Sequence, residues 1–124
     1  MPKSSKETAS NVADLGVLVS RTDELDAYTV EFTTFREDAD GTPAFKGLPD
    51  DRCQSPHWGY VVRGKVTFRY ADHDEVYETG DAYYAPPGHI PVVTADTEVV
   101  EFSPTEAYNR TLEVVARNMA AATA

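Results

Sequence analysis

The residues with the clearest chemical potential lie in two short pieces near the middle of the chain. The first piece contains Cys53 and His57, and the second contains His89. Cys53 is the only cysteine, and the two histidines are two of the three in the sequence. A thiolate and two imidazoles suit Zn or Cu, and would also hold Fe or Ni, better than Mg or Ca. Because three protein ligands leave an open position, these residues favour a divalent metal cofactor at a site able to do chemistry.

The same residues also allow metal-free interpretations, which a C-x3-H spacing alone does not exclude. Cys53 could be a small core residue, with His57 and His89 as hydrogen-bonding groups of a ligand pocket or of turns. Cys53 and His57 could also form a thiolate–imidazole couple for nucleophilic or acid–base work, with Asp51 as the one candidate for a third, orienting group. A metal site, a pocket with no cofactor and a purely structural role all stay open at this point.

Length and charge narrow the classes of partner. The chain has 124 residues, which fits one domain with one core. Its 11 basic and 21 acidic residues give a net charge of −10, which argues against nucleic acid and against an anionic membrane surface. The first residues lack the apolar segment of a secretion signal, and a single cysteine cannot form an intrachain disulfide. We therefore expect a cytoplasmic protein with a free thiol.

Short alternating segments dominate the sequence up to about residue 103. Segments of this kind, separated by frequent Gly, Pro and Asp residues, predict a β-sandwich or β-barrel. The predicted strands are 27–36, 58–63, 65–70, 75–78, 82–85, 91–94 and 97–102. Residues 1–11 are polar and expected to be flexible, and 12–20 fit either a short strand or an irregular arm. Residues 37–52 predict a long loop of the kind that often serves as a lid, pinned by Phe45 and Leu48.

The hydrophobic period changes at the end of the chain. The run 103–106, Ser-Pro-Thr-Glu, matches a capping box with proline at the first helical position. Apolar residues then recur at helical spacing, at Tyr108, Leu112, Val115 and Met119. We predict a helix over about 104–120, with this stripe buried on the sheets or on a partner subunit.

The central stretch resembles a cupin. The second motif of that family, G-x5-P-x-G-x2-H-x3-N, is matched by Gly80, Pro86 and Gly88, and Gly64 matches the glycine that closes the first motif, G-x5-H-x-H-x3,4-E-x6-G. The resemblance covers about residues 28–103. It implies an all-β fold, a cupin-like antiparallel β-barrel (jelly roll) followed by the C-terminal α-helix. Residues 1–124 would then form a single cupin-like domain.

The metal positions of the family are occupied by other residue types here. His57 stands where the family has its glutamate, Cys53 where it has the second histidine and Asp51 where it has the first. In the second motif Pro91 takes the histidine position, while His89 lies two residues earlier and hence on the same strand face. The resemblance thus implies that Cys53, His57 and His89, with Asp51 as a further candidate, converge inside the barrel. The sequence also looks like a group of small single-domain cupins with the local patterns C-x2-P-H-W-G and P-P-G-H, for which no reaction follows.

Aromatic residues are the candidates for contacting a small molecule. Trp58, Tyr60, Phe68 and Tyr84 are the residues expected to line the barrel mouth and receive an apolar or aromatic ligand. Tyr83 and Tyr84 are adjacent in a strand, so one should face inward and the other outward.

Function and assembly follow from these expectations. The first hypothesis is a small-molecule binder or enzyme with a Cys/His/His metal site, and the second is a metal-free ligand-binding or sensor protein. A third is a structural or interaction protein in which these residues bind nothing. We also expect a homodimer, because cupins commonly pair and the helical stripe needs a surface to cover it.

Overall fold

The computed structural model describes residues 2–123. These residues form ten β-strands and one α-helix. The strands are β1 Asn11–Asp14, β2 Leu18–Leu25, β3 Tyr28–Phe35, β4 Ala39–Asp40, β5 His57–Arg63, β6 Lys65–Arg69, β7 Asp74–Glu78, β8 Ala82–Ala85, β9 Ile90–Val93 and β10 Glu98–Pro104. The helix, α1, is Thr105–Thr123. Two single turns of 3-10 helix, Thr42–Phe45 and Pro49–Asp51, lie in the loop between β4 and β5.

The strands form two antiparallel sheets that pack as a jelly-roll sandwich, which confirms the predicted fold class. One sheet has six strands in the order β1-β2-β3-β10-β5-β8, and the other has four in the order β4-β9-β6-β7. Alternation along each strand sends every second apolar side chain between the sheets. The resulting core contains Val61, Val66, Phe68, Tyr83, Ala85, Val93 and Val99, which come from both sheets.

Glycines mark the tight turns between consecutive strands. Gly80 and Gly88, expected at turns, have φ angles of +93° and +99° and flank β8. Gly64 joins β5 to β6 at a φ of +92°, and a Cβ there would overlap Thr97. Only glycine fits that position, because it combines left-handed backbone with no space for a side chain.

The segment of uncertain structure near the N-terminus forms two strands. β1 and β2 pair with each other, and β2 extends the six-stranded sheet by pairing with β3. The residues before β1 are tied to this sheet, since the Ser4 hydroxyl donates to Asp23 at 2.6 Å and Lys6 forms a 2.8 Å ion pair with Glu98. The expected flexibility of residues 1–11 does not account for these contacts.

The helix begins differently from the predicted capping box. Pro104 is the last residue of β10 rather than the first of the helix, and the Ser103 hydroxyl lies against His57 instead of capping a helix. The first helical residue, Thr105, donates its N–H to the Ala27 carbonyl at 2.9 Å. The predicted cap is therefore wrong, because the strand continues through its first two residues.

Hydrogen bonds from two side chains attach α1 to the rest of the chain. The Tyr108 hydroxyl donates to Glu31 at 3.0 Å, and the Asn118 amide donates to the backbone carbonyls of residues 44 and 46 at 2.8 and 2.9 Å. The expected burial of the apolar stripe is wrong at Leu112, which is 45% exposed. The attached face runs through Tyr108, Thr111 and Asn118, and this turns Leu112 toward the edge. α1 lacks the apolar length that a membrane-crossing helix needs.

Replacing Leu112 with Asp tests whether a second copy covers this residue. In the single chain the change should alter the free energy of unfolding by only about 0.5 kcal/mol, as at other surface positions. If the predicted homodimer buries Leu112, the variant should sediment as a monomer at concentrations where the wild type is a dimer. Ala116→Asp, also exposed and one turn further along α1, is the control. A loss of several kcal/mol in dilute protein would contradict the exposed position of Leu112.

Candidate metal centre

A backbone bridge joins the two segments that carry the predicted ligands. The Cys53 N–H donates to the His89 carbonyl at 2.9 Å, and the Gly88 N–H donates to the Cys53 carbonyl at 2.8 Å. The third residue, His57, opens β5 and pairs with Ala85 at the end of β8. The backbones of Cys53, His57 and His89 therefore lie close together at one end of the sandwich.

The structure brings Cys53, His57 and His89 together. Their ligand atoms all lie within 4.8 Å of one another, and we call this group the Cys-His-His cluster. The Cys53 sulfur lies 3.6 Å from His57 Nε2, and the two imidazole ring centres are 4.9 Å apart. Cys53 and His89 are buried, and His57 is partly buried.

His89 has its tautomer fixed by a carbonyl. Its Nδ1 lies 2.8 Å from the Pro86 carbonyl oxygen, which can only accept a hydrogen bond. Nδ1 therefore carries the proton, and in the neutral ring Nε2 has a free lone pair. That Nε2 atom is buried with no hydrogen-bond partner, as is only one other side-chain atom, Arg52 Nη1, among the described residues. A buried acceptor without a partner is costly, so His89 Nε2 is a candidate ligand atom for a metal ion.

His57 is oriented in a comparable way. Its Nδ1 lies 2.7 Å from the Ser103 hydroxyl on β10, which leaves Nε2 directed at the Cys53 sulfur. Hydrogen bonds of this kind, from the nitrogen that faces away from a metal, commonly fix the orientation of ligating histidines.

Burial keeps all three groups neutral in the absence of a cation. Desolvation lowers the pKa of His57 and of His89 to about 4, so both rings are unprotonated at neutral pH. Desolvation also raises the pKa of the Cys53 thiol to about 12. A thiol and an imidazole that are both neutral do not make an activated nucleophile, so these pKa shifts give no support to the thiolate–imidazole couple, although the two groups lie 3.6 Å apart. A bound cation would reverse the cysteine's preference, because a coordinating thiol is deprotonated.

The spacing of the donors suits a single small cation. Tetrahedral bonds of about 2.0 to 2.3 Å place neighbouring ligand atoms about 3.5 Å apart. The separation of 3.6 Å between the Cys53 sulfur and His57 Nε2 already meets this value. The rest of the cluster, within 4.8 Å, needs to contract by only about 1 Å to share one ion.

Asp51 does not join the cluster. It lies at the end of the second 3-10 turn with a φ of +54°, and its exposed carboxylate accepts the Gly47 N–H at 2.9 Å. The expectation that put Asp51 on the same face as Cys53 requires an extended chain. The turn breaks that extension, so the side chain points elsewhere.

Most of the predicted ligand-contacting aromatics lie outside the sandwich. Trp58, Tyr60 and Tyr84 are 43%, 48% and 47% exposed, and Trp58 packs on Tyr84 with ring centres 5.0 Å apart. Since His57 points inward, the alternation of β5 turns Trp58 and Tyr60 outward. Only Phe68 faces the interior, where its ring centre lies 5.0 Å from that of His89. The expectation that one of two adjacent tyrosines faces inward is confirmed, because Tyr83 is buried.

Two interior glutamates were missed by the sequence interpretation. Glu31 on β3 and Glu101 on β10 are direct partners in the sheet. Glu101 lies two residues before Ser103, on the same face of β10. The Tyr83 hydroxyl donates to Glu101 at 2.5 Å, and the Tyr108 hydroxyl donates to Glu31 at 3.0 Å. Each glutamate stands between a Val and a Phe, in the tripeptides 30–32 and 100–102, so alternation alone would place the charge on the outer face.

A surface cavity of about 630 Å³ opens beside the cluster. Its lining includes Arg52 and Gly88, which directly precede Cys53 and His89 in the chain. Tyr70, another lining residue, has its ring centre 6.0 Å from that of His89 and stacks on His73. A small molecule in this cavity would therefore lie close to two of the three cluster residues.

Solved structures with the same architecture identify the fold. An RmlC-like cupin from Shewanella frigidimarina NCIMB 400 aligns with a TM-score of 0.59 and 20% identity, over 82% of this chain and 88% of its own. KdgF from Halomonas sp. aligns with a TM-score of 0.55 and 20% identity, over 76% of this chain and 86% of its own. The fold is that of the cupins. A cupin superfamily protein from Desulfitobacterium hafniense DCB-2 shares it at 9% identity and a TM-score of 0.55, over 74% of this chain and 81% of its own. Neither the family models nor the curated proteins gave a match to the sequence.

The hydrogen bond behind His57 gives a prediction about the cluster. Ser103→Ala leaves His57 Nδ1 without its partner, so a metal bound by the cluster should bind about 10- to 100-fold more weakly. Zn²⁺ competition with a chromophoric chelator measures this change. Ser55→Ala is the control, since Ser55 is equally buried but its hydroxyl contacts only the Pro56 carbonyl. Equal losses in both variants would contradict an orienting role for Ser103.

The lowered histidine pKa values predict an acid-sensitive fold in metal-free protein. His57 takes up a proton near pH 4 in the folded state but near 6.5 in the unfolded chain. The unfolded state therefore binds more protons between these values, and the free energy of unfolding should fall as pH falls from about 6.5 to about 4. The expected fall is on the order of a few kcal/mol, since one pKa unit corresponds to about 1.4 kcal/mol.

Chemical denaturation at several pH values measures this dependence. His57→Gln should flatten it, and the difference between wild type and variant cancels the opposite contribution of the buried Glu31 and Glu101 carboxyls. Identical pH slopes in the two proteins would contradict the burial of a neutral His57.

Proposed function

We propose that the Cys-His-His cluster is a mononuclear metal centre and that the protein binds a small molecule at this end of its cupin sandwich. The observation that carries the proposal is His89 Nε2, a buried lone pair with no partner that faces a thiol and a second oriented imidazole. The soft-to-borderline donor set favours Zn, with Fe, Cu or Ni as alternatives. The ligand set differs from that of the cupin motif, which has three histidines and one glutamate.

The residues around the cluster would shape its chemistry. A divalent metal held there would supply Lewis-acid catalysis to a bound molecule. Phe68 and Tyr70 pack near His89 and give that side of the cluster aromatic neighbours. Thr111 on α1 acts to lower the pKa of the Cys53 thiol, so the helix lies beside the cluster. The neighbouring cavity of about 630 Å³ is then the route and binding space for a small ligand.

Metal analysis of untagged protein tests the proposal. We expect about one ion per chain, and Co²⁺ loaded into chelator-treated protein should show a thiolate-to-metal charge-transfer band. Cys53→Ser, His57→Gln and His89→Gln should each weaken binding by more than about 100-fold, a larger loss than the about 10- to 100-fold effect of an outer hydrogen bond. His73→Gln is the matched control, because His73 is the third histidine and lies exposed in a turn.

Substoichiometric metal under all loading conditions, or unchanged binding by His89→Gln, would contradict a metal centre. The second candidate, a metal-free ligand-binding or sensor protein, would then lead. The cavity lined by Arg52 independently favours this second function. The buried Arg52 Nη1 atom has no hydrogen-bond partner among the described residues, and guanidinium groups pair with carboxylates. Thermal stabilisation of chelator-treated protein by small carboxylates, abolished in Arg52→Gln, would support this second function.

A further inference from the structure

We propose that Glu31 and Glu101 together hold one exchangeable proton and form the acid–base group of the interior, separate from the Cys-His-His cluster. The pair carries one negative charge and one proton, and it exchanges that proton with solvent. A role for this pair in chemistry rests on the proposed function, but the shared proton can be measured in metal-free protein.

The geometry of the pair is the first step of the argument. Glu31 and Glu101 are direct partners in the register of β3 and β10, and both point to the inner face of the six-stranded sheet. Side chains opposite one another in an antiparallel pair have Cβ atoms about 5 Å apart. Carboxyl groups on such neighbouring positions, each only partly exposed to solvent, repel each other when both are ionised. Sharing a single proton relieves this repulsion.

The surroundings of the pair offer hydrogen-bond donors but no paired cation. Each carboxyl accepts a tyrosine hydroxyl, from Tyr83 on β8 for Glu101 and from Tyr108 on α1 for Glu31, and the Ser20 hydroxyl on β2 also donates to Glu31. Neither glutamate takes part in an ion pair with Lys or Arg among the described residues, whereas Glu98 on the same strand contacts both Lys6 and Arg63. A buried carboxyl that lacks a cation is neutralised by a proton.

Titratable groups face the pair from several directions. His57 from β5 lies on the side of Glu31, and His89 lies on the side of Glu101, but burial keeps both imidazoles neutral. Burial raises the pKa of both glutamates, and the charge of Glu101 raises that of Glu31 further. The pKa values of Tyr83 and Tyr108 are raised as well, so the two phenols stay protonated and keep donating.

Gly59 is the position that lets Tyr83 reach Glu101. Gly59 is the partner of both Glu101 and Tyr83 in the neighbouring strands, and a Cβ at residue 59 would overlap the Tyr83 ring. The missing side chain thus gives the phenol the space to lie across β5 and donate to the pair.

Infrared spectroscopy of metal-free protein measures the shared proton directly. The wild type should show the C=O band of one protonated carboxyl per chain at pH 7. In Glu31→Gln and in Glu101→Gln the pH midpoint of the remaining acid should fall by about one unit or more, because the repelling partner is gone. Glu98→Gln should leave the band and its midpoint unchanged.

A second pair of variants moves the midpoint the other way. Tyr83→Phe and Tyr108→Phe remove donors that favour the ionised form, so the midpoint should rise in both. These isosteric changes keep the aromatic ring in place, and circular dichroism confirms that each variant is folded.

The outcomes separate this proposal from the metal centre. No acid band at pH 7, two acid bands per chain, or midpoints in the single Gln variants equal to that of the wild type would each overturn the shared proton. None of these results depends on metal binding, so a shared proton can stand where the metal centre fails. If the metal centre and the shared proton are both real, Glu101→Gln and the wild type should bind Co²⁺ with equal affinity.

Discussion

The bridge between Cys53 and His89 is the contact on which the site depends. The two residues belong to segments that are separated by four strands. The Cys53 N–H nevertheless donates to the His89 carbonyl at 2.9 Å, and the Cys53 carbonyl accepts the Gly88 N–H at 2.8 Å. The bridge closes the end of the sandwich and places a sulfur next to an imidazole. The jelly-roll topology supplies the third residue, because β5 begins beside the end of β8. Asn118 holds the earlier part of the same loop through the carbonyls of residues 44 and 46, and the bridge holds its end.

The sequence was sufficient for the fold and for the convergence of three candidate ligands. Period-two alternation located the central strands to within about one residue, and turn glycines with positive φ explained where they end. The resemblance then predicted that Cys53, His57 and His89 converge inside the barrel. It did not place Asp51, because a 3-10 turn interrupts the chain just before Cys53, and a local turn of that kind leaves no periodic signal. Trp58 and Tyr60 lie outside the sandwich for a simpler reason: an inward His57 requires both of them to point outward.

Residues that act through side-chain hydrogen bonds were the hardest to foresee. Ser103 fits a helix cap by local pattern, yet its hydroxyl is used by His57 from another strand. Glu31 and Glu101 look like two members of a large acidic surface until the register of β3 and β10 is known. Local sequence describes neighbours along the chain, whereas these contacts depend on which strands lie side by side. Propensity and period cannot supply that information.

The attachment of α1 has a consequence for how fast the interior exchanges with solution. The helix is held by hydrogen bonds from Asn118 and Tyr108, and none of the side chains of residues 105–121 is fully buried. Each such bond contributes only about 1 kcal/mol, so undocking of the helix costs less than unfolding of the sheets. The groups beneath the helix then exchange with solvent at a rate set by this local opening. Exchange rate and global stability thus become separable properties, the first governed by the helix and the second by the sandwich.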